Sequence, residues 1–174
     1  MLTQQIVNAL TLGAIYSLIA LGYTLVYGIL TMINFAHSEV LMLGSFMALG
    51  LATVSPSFFG GGVAGLIGMF ILSMTGAGLI NVAIERFAYR PLRTVSRLAP
   101  LISAIGVSII LQNGVFLWVS TQSLPFPEPV EIGQIPLFGA TISTLQLLIL
   151  LLALVLMGLL HFFIEHTKMG KAMR

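Results

Sequence analysis

Long stretches without any charged residue divide the chain into segments. No Asp, Glu, Lys or Arg occurs in the ranges 1–38, 40–84, 98–127 and 132–164. Within them the apolar residues run continuously and do not alternate with polar ones, which favours helices over the roughly ten-residue strands of a membrane barrel. A helix that crosses the hydrocarbon core needs roughly 20 mostly apolar residues. Each range is therefore long enough for at least one membrane-spanning helix.

Proline and glycine mark the boundaries between the spans. The segment 55–62 contains one proline and three glycines and predicts a turn, and four prolines between 125 and 136 bracket a polar loop that contains Glu128 and Glu131. The predicted fold is all-α, a polytopic transmembrane helical bundle of about five spans. The predicted spans are 6–30, 35–54, 63–84, 99–119 and 141–163.

The composition supports a membrane protein. Hydrophobic residues make up 58% of the 174 residues and charged residues only 7%, whereas soluble domains carry about 25% charged residues. These values exclude an ordinary soluble domain, a disordered chain and a nucleic-acid binder. There is no cysteine, so the chain has neither a disulfide framework nor a thiolate metal site.

The basic residues predict the orientation in the membrane. All seven lie in two clusters: Arg86, Arg90, Arg93 and Arg97, then Lys168, Lys171 and Arg174. The positive-inside rule places the loop 86–97 and the C-terminal tail in the cytoplasm, and the loop 122–135 outside. Three preceding spans would put the N-terminus outside. If the segment 31–54 instead dips into the membrane and returns, the N-terminus lies inside.

The segment 32–44 brings polar side chains into an apolar region. Asn34, His37, Ser38 and Glu39 follow one another closely, and an ionisable group within the membrane is costly unless it is paired or hydrated. If the segment is helical, Asn34 shares a face with His37 and Ser38. One interpretation is a polar element that lines a pathway or braces a broken helix. The other is an interfacial turn that caps the second span, with Glu39 near the positive end of that helix.

Other chemistry is weakly represented. His37 lies far in sequence from His161 and His166, which does not predict a metal site. No nucleophile, base and acid set is apparent, and no glycine-rich phosphate loop with a lysine occurs. We therefore predict no enzyme activity and no metal. The arginine cluster is mainly a topology signal and is also able to contact anionic lipid.

Several stretches together resemble one family. They are NALTLGAIYSLIALGY at 8–23, VYGI at 26–29, MINFAHSE at 32–39, IERFAYRPLR at 84–93, LISAIGVSIILQN at 101–113 and KMGKAMR at 168–174. With them the chain resembles the membrane permease of bacterial branched-chain amino-acid ABC importers, of the LivH type. The resemblance covers nearly the whole chain except the outer loop around 121–139. The family usually has glycine where this chain has Ser38.

The resemblance implies a permease subunit of an ATP-driven importer for leucine, isoleucine or valine in the bacterial inner membrane. A paralogous permease, two cytoplasmic ATPases and a periplasmic binding protein would be its partners. ATP would bind to the ATPases, so no cofactor is expected in this chain. The alternatives are a permease for urea or short amides and a non-transporting, truncated membrane scaffold.

The resemblance also implies a longer protein. The cytoplasmic coupling segment of the family, which docks on the ATPase, begins near the end of this sequence and continues past it. Lys168, Gly170 and Arg174 would then mark the coupling-side tail. We expect residues 1–174 to be the N-terminal part of one permease domain, apparently truncated, that inserts in the membrane without holding the ATPase.

Overall fold

The computed structural model describes residues 2–30, 33–59, 62–94, 96, 98–119, 122–127, 133–137, 140–168 and 170. The helices are α1 (Leu2–Leu30), α2 (His37–Val54), α3 (Pro56–Phe59), α4 (Gly62–Ile84), α5 (Ala99–Trp118) and α6 (Thr144–His166). Among these residues, all helices except the four-residue α3 are long and apolar enough to cross a membrane. The predicted all-α polytopic bundle of five spans is confirmed.

Three local features differ from the sequence prediction. The turn predicted at 55–62 contains the helix α3, which begins at Pro56 because proline has no N–H to lose at the first helical position. The loop before the last span contains an antiparallel hairpin, β1 (Gln134–Leu137) with β2 (Ala140–Ser143). The last helix therefore begins at Thr144 and not at 141, since the preceding four residues belong to β2.

A capping box explains the start of α6. The Ser143 hydroxyl accepts a hydrogen bond from the backbone N–H of Leu145 at 3.2 Å. The Gln146 side-chain oxygen accepts one from the backbone N–H of Ser143 at 3.1 Å. These reciprocal bonds satisfy donors that the first turn of a helix would otherwise leave unpaired.

The chain divides into two compact units. Unit 1 comprises Met1–Thr31 with Ile132–Arg174, and unit 2 comprises Met32–Glu131. In unit 1 the helices α1 and α6 pack side by side. A hydrogen bond from Gln146 to Asn8 joins their starts and a common groove follows both helices onward, so they run parallel. Their shared groove, of about 640 Å³, is lined from Ile6 to Ser17 on one helix and from Leu150 to Met157 on the other.

The side chain of Gln4 pairs with the free edge of strand β2 in the hairpin of unit 1. The Gln4 amide donates to the Thr141 carbonyl at 3.0 Å and accepts from the Thr141 N–H at 2.8 Å, as a neighbouring strand would. Both backbone groups of Thr141 therefore point away from β1, so its partner Pro136 belongs to a pair without ladder hydrogen bonds. The missing N–H of Pro136 costs no ladder bond, which is where an edge strand tolerates proline.

Unit 2 is built on an antiparallel pair, α2 and α4, joined through α3. Gly44, near the middle of α2, faces Ala77, and a β-carbon on the glycine would lie 3.5 Å from that of the alanine. Ala52, Phe59 and Met69 form a small buried core where α3 joins the pair. Helix α4 then continues into a π-helical turn, Glu85–Tyr89, and a 3-10 turn, Arg90–Leu92.

Two glycines allow the tight passage from α3 into α4. Gly62 has a φ of 79°, in the left-handed region that is open to glycine at little cost. A β-carbon at Gly65 would lie 2.5 Å from the carbonyl oxygen of Phe59. The close approach of α3 to α4 therefore depends on the missing side chain at this position.

Candidate functional site: two polar clusters

The first cluster surrounds the start of α2 and consists of Asn34, His37, Glu39, Tyr89 and Ser108; we call it the α2 polar cluster. Asn34 precedes the helix, so the prediction that it shares a helical face with His37 and Ser38 does not apply. Its side chain is only 3% exposed. Its Oδ1 atom accepts hydrogen bonds from the Ala36 N–H at 3.1 Å and from the Tyr89 hydroxyl at 2.7 Å.

Tyr89 ties this turn to the π-helical end of α4. Its side chain is 1% exposed, and it is the largest fully buried side chain among the described residues. A buried tyrosine hydroxyl needs a hydrogen-bond partner, and the Asn34 amide provides it. Because π-helical turns are rare and occur frequently at functional sites, the pairing of this turn with the polar segment marks the region as a candidate site.

Glu39 connects α2 with α5. The Ser108 hydroxyl donates to Glu39 Oε1 at 2.8 Å, and the pair is partly buried. The carboxylate lies in the first turn of α2, where the helix dipole stabilises negative charge. The Ser38 hydroxyl lies 3.5 Å from the same oxygen, which is too far for a strong hydrogen bond.

His37 is the first residue of α2 and is half-buried. Its backbone N–H donates to the Asn34 carbonyl at 3.2 Å. Its side chain lines a groove of about 430 Å³ between α2 and α4, together with Ser45, Ser73 and apolar neighbours. Within the described ranges, no three His, Asp or Glu residues lie close enough together to hold a metal ion.

The segment from Glu85 to Arg93, which contains three arginines and follows α4, lies next to the α2 polar cluster. Arg93 Nη2 lies 3.0 Å from Glu85 Oε1. The Ser103 hydroxyl donates to the Ala88 carbonyl at 3.1 Å, which attaches α5 to the π-helical turn. Of the three sequence-predicted residues, Asn34 contacts the end of α4, Glu39 contacts α5, and His37 lines the groove between α2 and α4. Their role as a pathway or as a structural element stays a prediction.

The second cluster lies in unit 1 and consists of Gln4, Asn8, Thr141, Ser143 and Gln146; we call it the amide network. Asn8 Oδ1 accepts from the Gln4 amide at 3.4 Å and from the Gln146 amide at 3.0 Å. Together with the Gln4 bonds to Thr141, these contacts link the start of α1 to the start of α6. Sequence analysis did not single out this network, although Ser143 and Gln146 have the spacing of a capping box.

The predicted coupling-side tail is described only in part. Lys168 is exposed and Gly170 is buried. The Gly170 N–H donates to the Thr167 hydroxyl at 3.0 Å, and a β-carbon at Gly170 would collide with the backbone of Ile164. Arg174, together with Arg97, Glu128, Glu131 and Lys171, lies outside the described residues.

A comparison with known protein families shows which family this chain belongs to. The model of the family described as "Branched-chain amino acid transport system / permease component" matches residues 5–174. The chain belongs to this family. The resemblance inferred from the sequence stretches is therefore confirmed, and the permease family accounts for the five apolar helices of a multi-pass membrane protein.

Individual members of this permease family are similar to the chain over nearly its whole length. The chain is 41% identical over 176 residues to the high-affinity branched-chain amino acid transport system permease protein BraD of Pseudomonas aeruginosa. It is 42% identical over 181 residues to LivH of Salmonella typhimurium and 41% identical over 180 residues to LivH of Escherichia coli K12. Each match covers 98% of this chain and 57% of the relative. No solved structure matches the chain.

The relatives are transport permeases and not enzymes. Their names favour the branched-chain amino-acid interpretation over urea, short amides or a scaffold without transport. The chain spans 57% of the length of these relatives.

Proposed function

We propose that this chain forms part of the translocation pathway in a permease subunit of an ATP-driven importer for leucine, isoleucine and valine. The observation that carries the proposal is the match of the permease family over residues 5–174. The α2 polar cluster supports it, because a glutamate bonded across two apolar helices is the kind of intramembrane ionisable group that transport pathways use.

The partners follow from this class of transporter. A paralogous permease, two cytoplasmic ATPases and a periplasmic binding protein would complete the importer. ATP would bind to the ATPases, so this permease would need no cofactor of its own. The coupling-side tail, including Lys168 and Gly170, would lie toward the ATPases.

We also propose an orientation, with the N-terminus and the loop 122–135 outside the inner membrane. The parallel packing of α1 and α6 supports this proposal, because the chain must cross the membrane an odd number of times between two parallel spans. The helices α2, α4 and α5 supply three crossings. A segment 31–54 that dips and returns would leave only two.

Cysteine labelling tests the orientation, and the absence of native cysteine removes any background. We expect an impermeant maleimide to label Thr3→Cys and Ser123→Cys in intact spheroplasts. Thr94→Cys should react only after permeabilisation. Protection of Thr3→Cys would restore the interpretation with the N-terminus inside, and labelling of Thr94→Cys from outside would reverse the whole orientation.

Substitution of Glu39 tests the pathway. In the complete transporter we expect Glu39→Leu to lower the rate of labelled-leucine uptake about tenfold or more, while the amount of protein in the membrane changes less than twofold. Glu39→Gln keeps an acceptor for the Ser108 hydroxyl but removes the charge, so it separates the two contributions. Equal losses of uptake and membrane level in Glu39→Leu would instead assign Glu39 to capping of α2.

A further inference from the structure

The three arginines that follow α4 differ in whether they have an acidic partner. Arg93 is paired with Glu85 at 3.0 Å, and this pairing neutralises the glutamate. Arg86 and Arg90 are exposed, and neither has an acidic partner within the part of the chain that the structure describes. Among the described residues, two positive charges therefore remain without an acidic partner at this end of unit 2.

The length of α4 places these arginines at the membrane surface. The helix Gly62–Ile84 has 23 residues, which at 1.5 Å per residue extend about 35 Å. That length already exceeds a hydrocarbon core of about 30 Å. The π-helical turn Glu85–Tyr89 that continues α4 therefore lies in the layer of lipid headgroups, where phosphate groups are found.

The turn presents two different faces. Tyr89 is buried and bonded to Asn34, which fixes the rotation of the turn. Arg86 and Arg90 are four residues apart on a continuous helical backbone, so they lie close together. Phe87 is 78% exposed beside them, and an apolar ring of this size is stabilised when it leaves water for hydrocarbon.

We propose that Arg86, Phe87 and Arg90 form a binding site for an anionic phospholipid. The guanidinium groups bond the phosphate, for which the planar donor fork of arginine is well suited. The Phe87 ring contacts the upper part of an acyl chain. The exposed ring favours a whole lipid over a free phosphate ion, and it favours a lipid over a charged protein surface.

Native mass spectrometry of the complete chain in detergent tests the site. The probes are dioleoyl-phosphatidylglycerol, dioleoyl-phosphatidylcholine with the same acyl chains, and glycerol 3-phosphate as the phosphate without a lipid. We expect phosphatidylglycerol to bind more tightly than phosphatidylcholine, and the double substitution Arg86→Gln with Arg90→Gln to weaken its binding roughly 10- to 30-fold, at about one kcal/mol per arginine.

Arg93→Gln provides the matched control, since Arg93 is already paired. It should change phosphatidylglycerol binding less than twofold. Phe87→Ala should weaken both phospholipids, because it removes apolar contact and no charge. The substitution of Arg86 and Arg90 by lysine, which keeps both charges, guards against misfolding and should retain most of the preference for phosphatidylglycerol.

Several outcomes would overturn the proposal. An unchanged lipid preference in the double glutamine variant would show that the arginines do not bind the headgroup. Equal losses in Arg93→Gln would indicate a general effect of charge. Competition by glycerol 3-phosphate at the same concentration as the lipid would indicate a free-phosphate site. Loss of ATPase co-purification with intact lipid binding would assign the surface to protein docking.

Discussion

Polar side chains are satisfied differently in the two compact units. Unit 1 uses uncharged groups near the start of its two long helices, where the central Asn8 of the amide network is exposed. At the end of α6 it also has an exposed contact between His161 and Glu165 at 3.4 Å. Unit 2 uses a fully buried bond between Asn34 and Tyr89, a partly buried bond from Ser108 to Glu39, and a charged pair next to them. The packing of the long helices also differs, because Gly65 of α4 has no room for a side chain beside α3, whereas Gly13 of α1 has open space at its β-carbon position.

This difference predicts how strongly substitutions should destabilise each unit. Amides near the membrane surface exchange one partner for water at little cost, because the net free energy of a hydrogen bond is small when water replaces it. A buried donor that loses its partner has no such replacement. Substitutions in unit 2 should therefore be the more destabilising, and this expectation can be tested position by position.

The largest effect on the free energy of unfolding is expected for a substitution of Gly65. Gly65→Ala should lower the free energy of unfolding by about 1–3 kcal/mol, because its β-carbon must displace the Phe59 backbone. Gly13→Ala in unit 1 is the matched control. Apart from its chain neighbours and the nearby backbone of α1, no described atom lies within 4 Å of its β-carbon position. Alanine favours the helix by up to about 1 kcal/mol. Circular dichroism during unfolding by sodium dodecyl sulfate measures both, and equal stabilities would contradict the packing difference.

An intermediate effect is expected at the two asparagines. Asn34→Ala should lower the free energy of unfolding by about 1–2 kcal/mol, since it leaves the buried Tyr89 hydroxyl without its acceptor. Asn8→Ala should cost less than about 0.5 kcal/mol, because water can reach the remaining amides of the network. The same unfolding titration compares them. A larger loss for Asn8→Ala would reverse the comparison between the units.

The smallest effect is expected at the ion pair. Glu85→Gln should cost about 0.2–1 kcal/mol, because both partners are partly exposed to solvent. The cost should shrink between 50 and 500 mM NaCl as salt screens the charges. Gln4→Leu, which removes uncharged contacts in unit 1, should show a cost independent of salt. A salt-independent cost for Glu85→Gln would show that the charge of this residue does not contribute.

The spans could be predicted from the sequence because a helix that crosses the membrane needs about 20 consecutive, mostly apolar residues. Each span is a continuous apolar run whose only charged residues in the described helices are Glu39 at the start of α2 and Glu165 at the end of α6. The helices found lie within a few residues of the predicted ranges. The polar residues Asn34, His37 and Glu39 were also visible, since they interrupt such a run. Their contribution to transport stays a prediction.

The partners of these residues were less visible. Tyr89 lies 55 positions from Asn34, and Ser108 lies 69 positions from Glu39. No local pattern encodes such pairings, because they depend on how α2, α4 and α5 pack. The hairpin was missed since its strands have only four residues each. The start of α6 was predicted at 141 and lies at Thr144, although Ser143 and Gln146 have capping-box spacing and give a local signal for it.

The pairing of Gln4 with Thr141 has a consequence for biosynthesis. The two residues are 137 positions apart, and ribosomes add roughly 5–20 residues per second. Roughly 7–30 seconds therefore pass between the synthesis of Gln4 and the arrival of the backbone that it pairs with. During that interval α1 must keep one flank accessible within the bilayer, so the emerging hairpin and α6 can still reach it. The order of synthesis thus requires the side of the first span that contacts α6 to remain accessible until the last described span has been made.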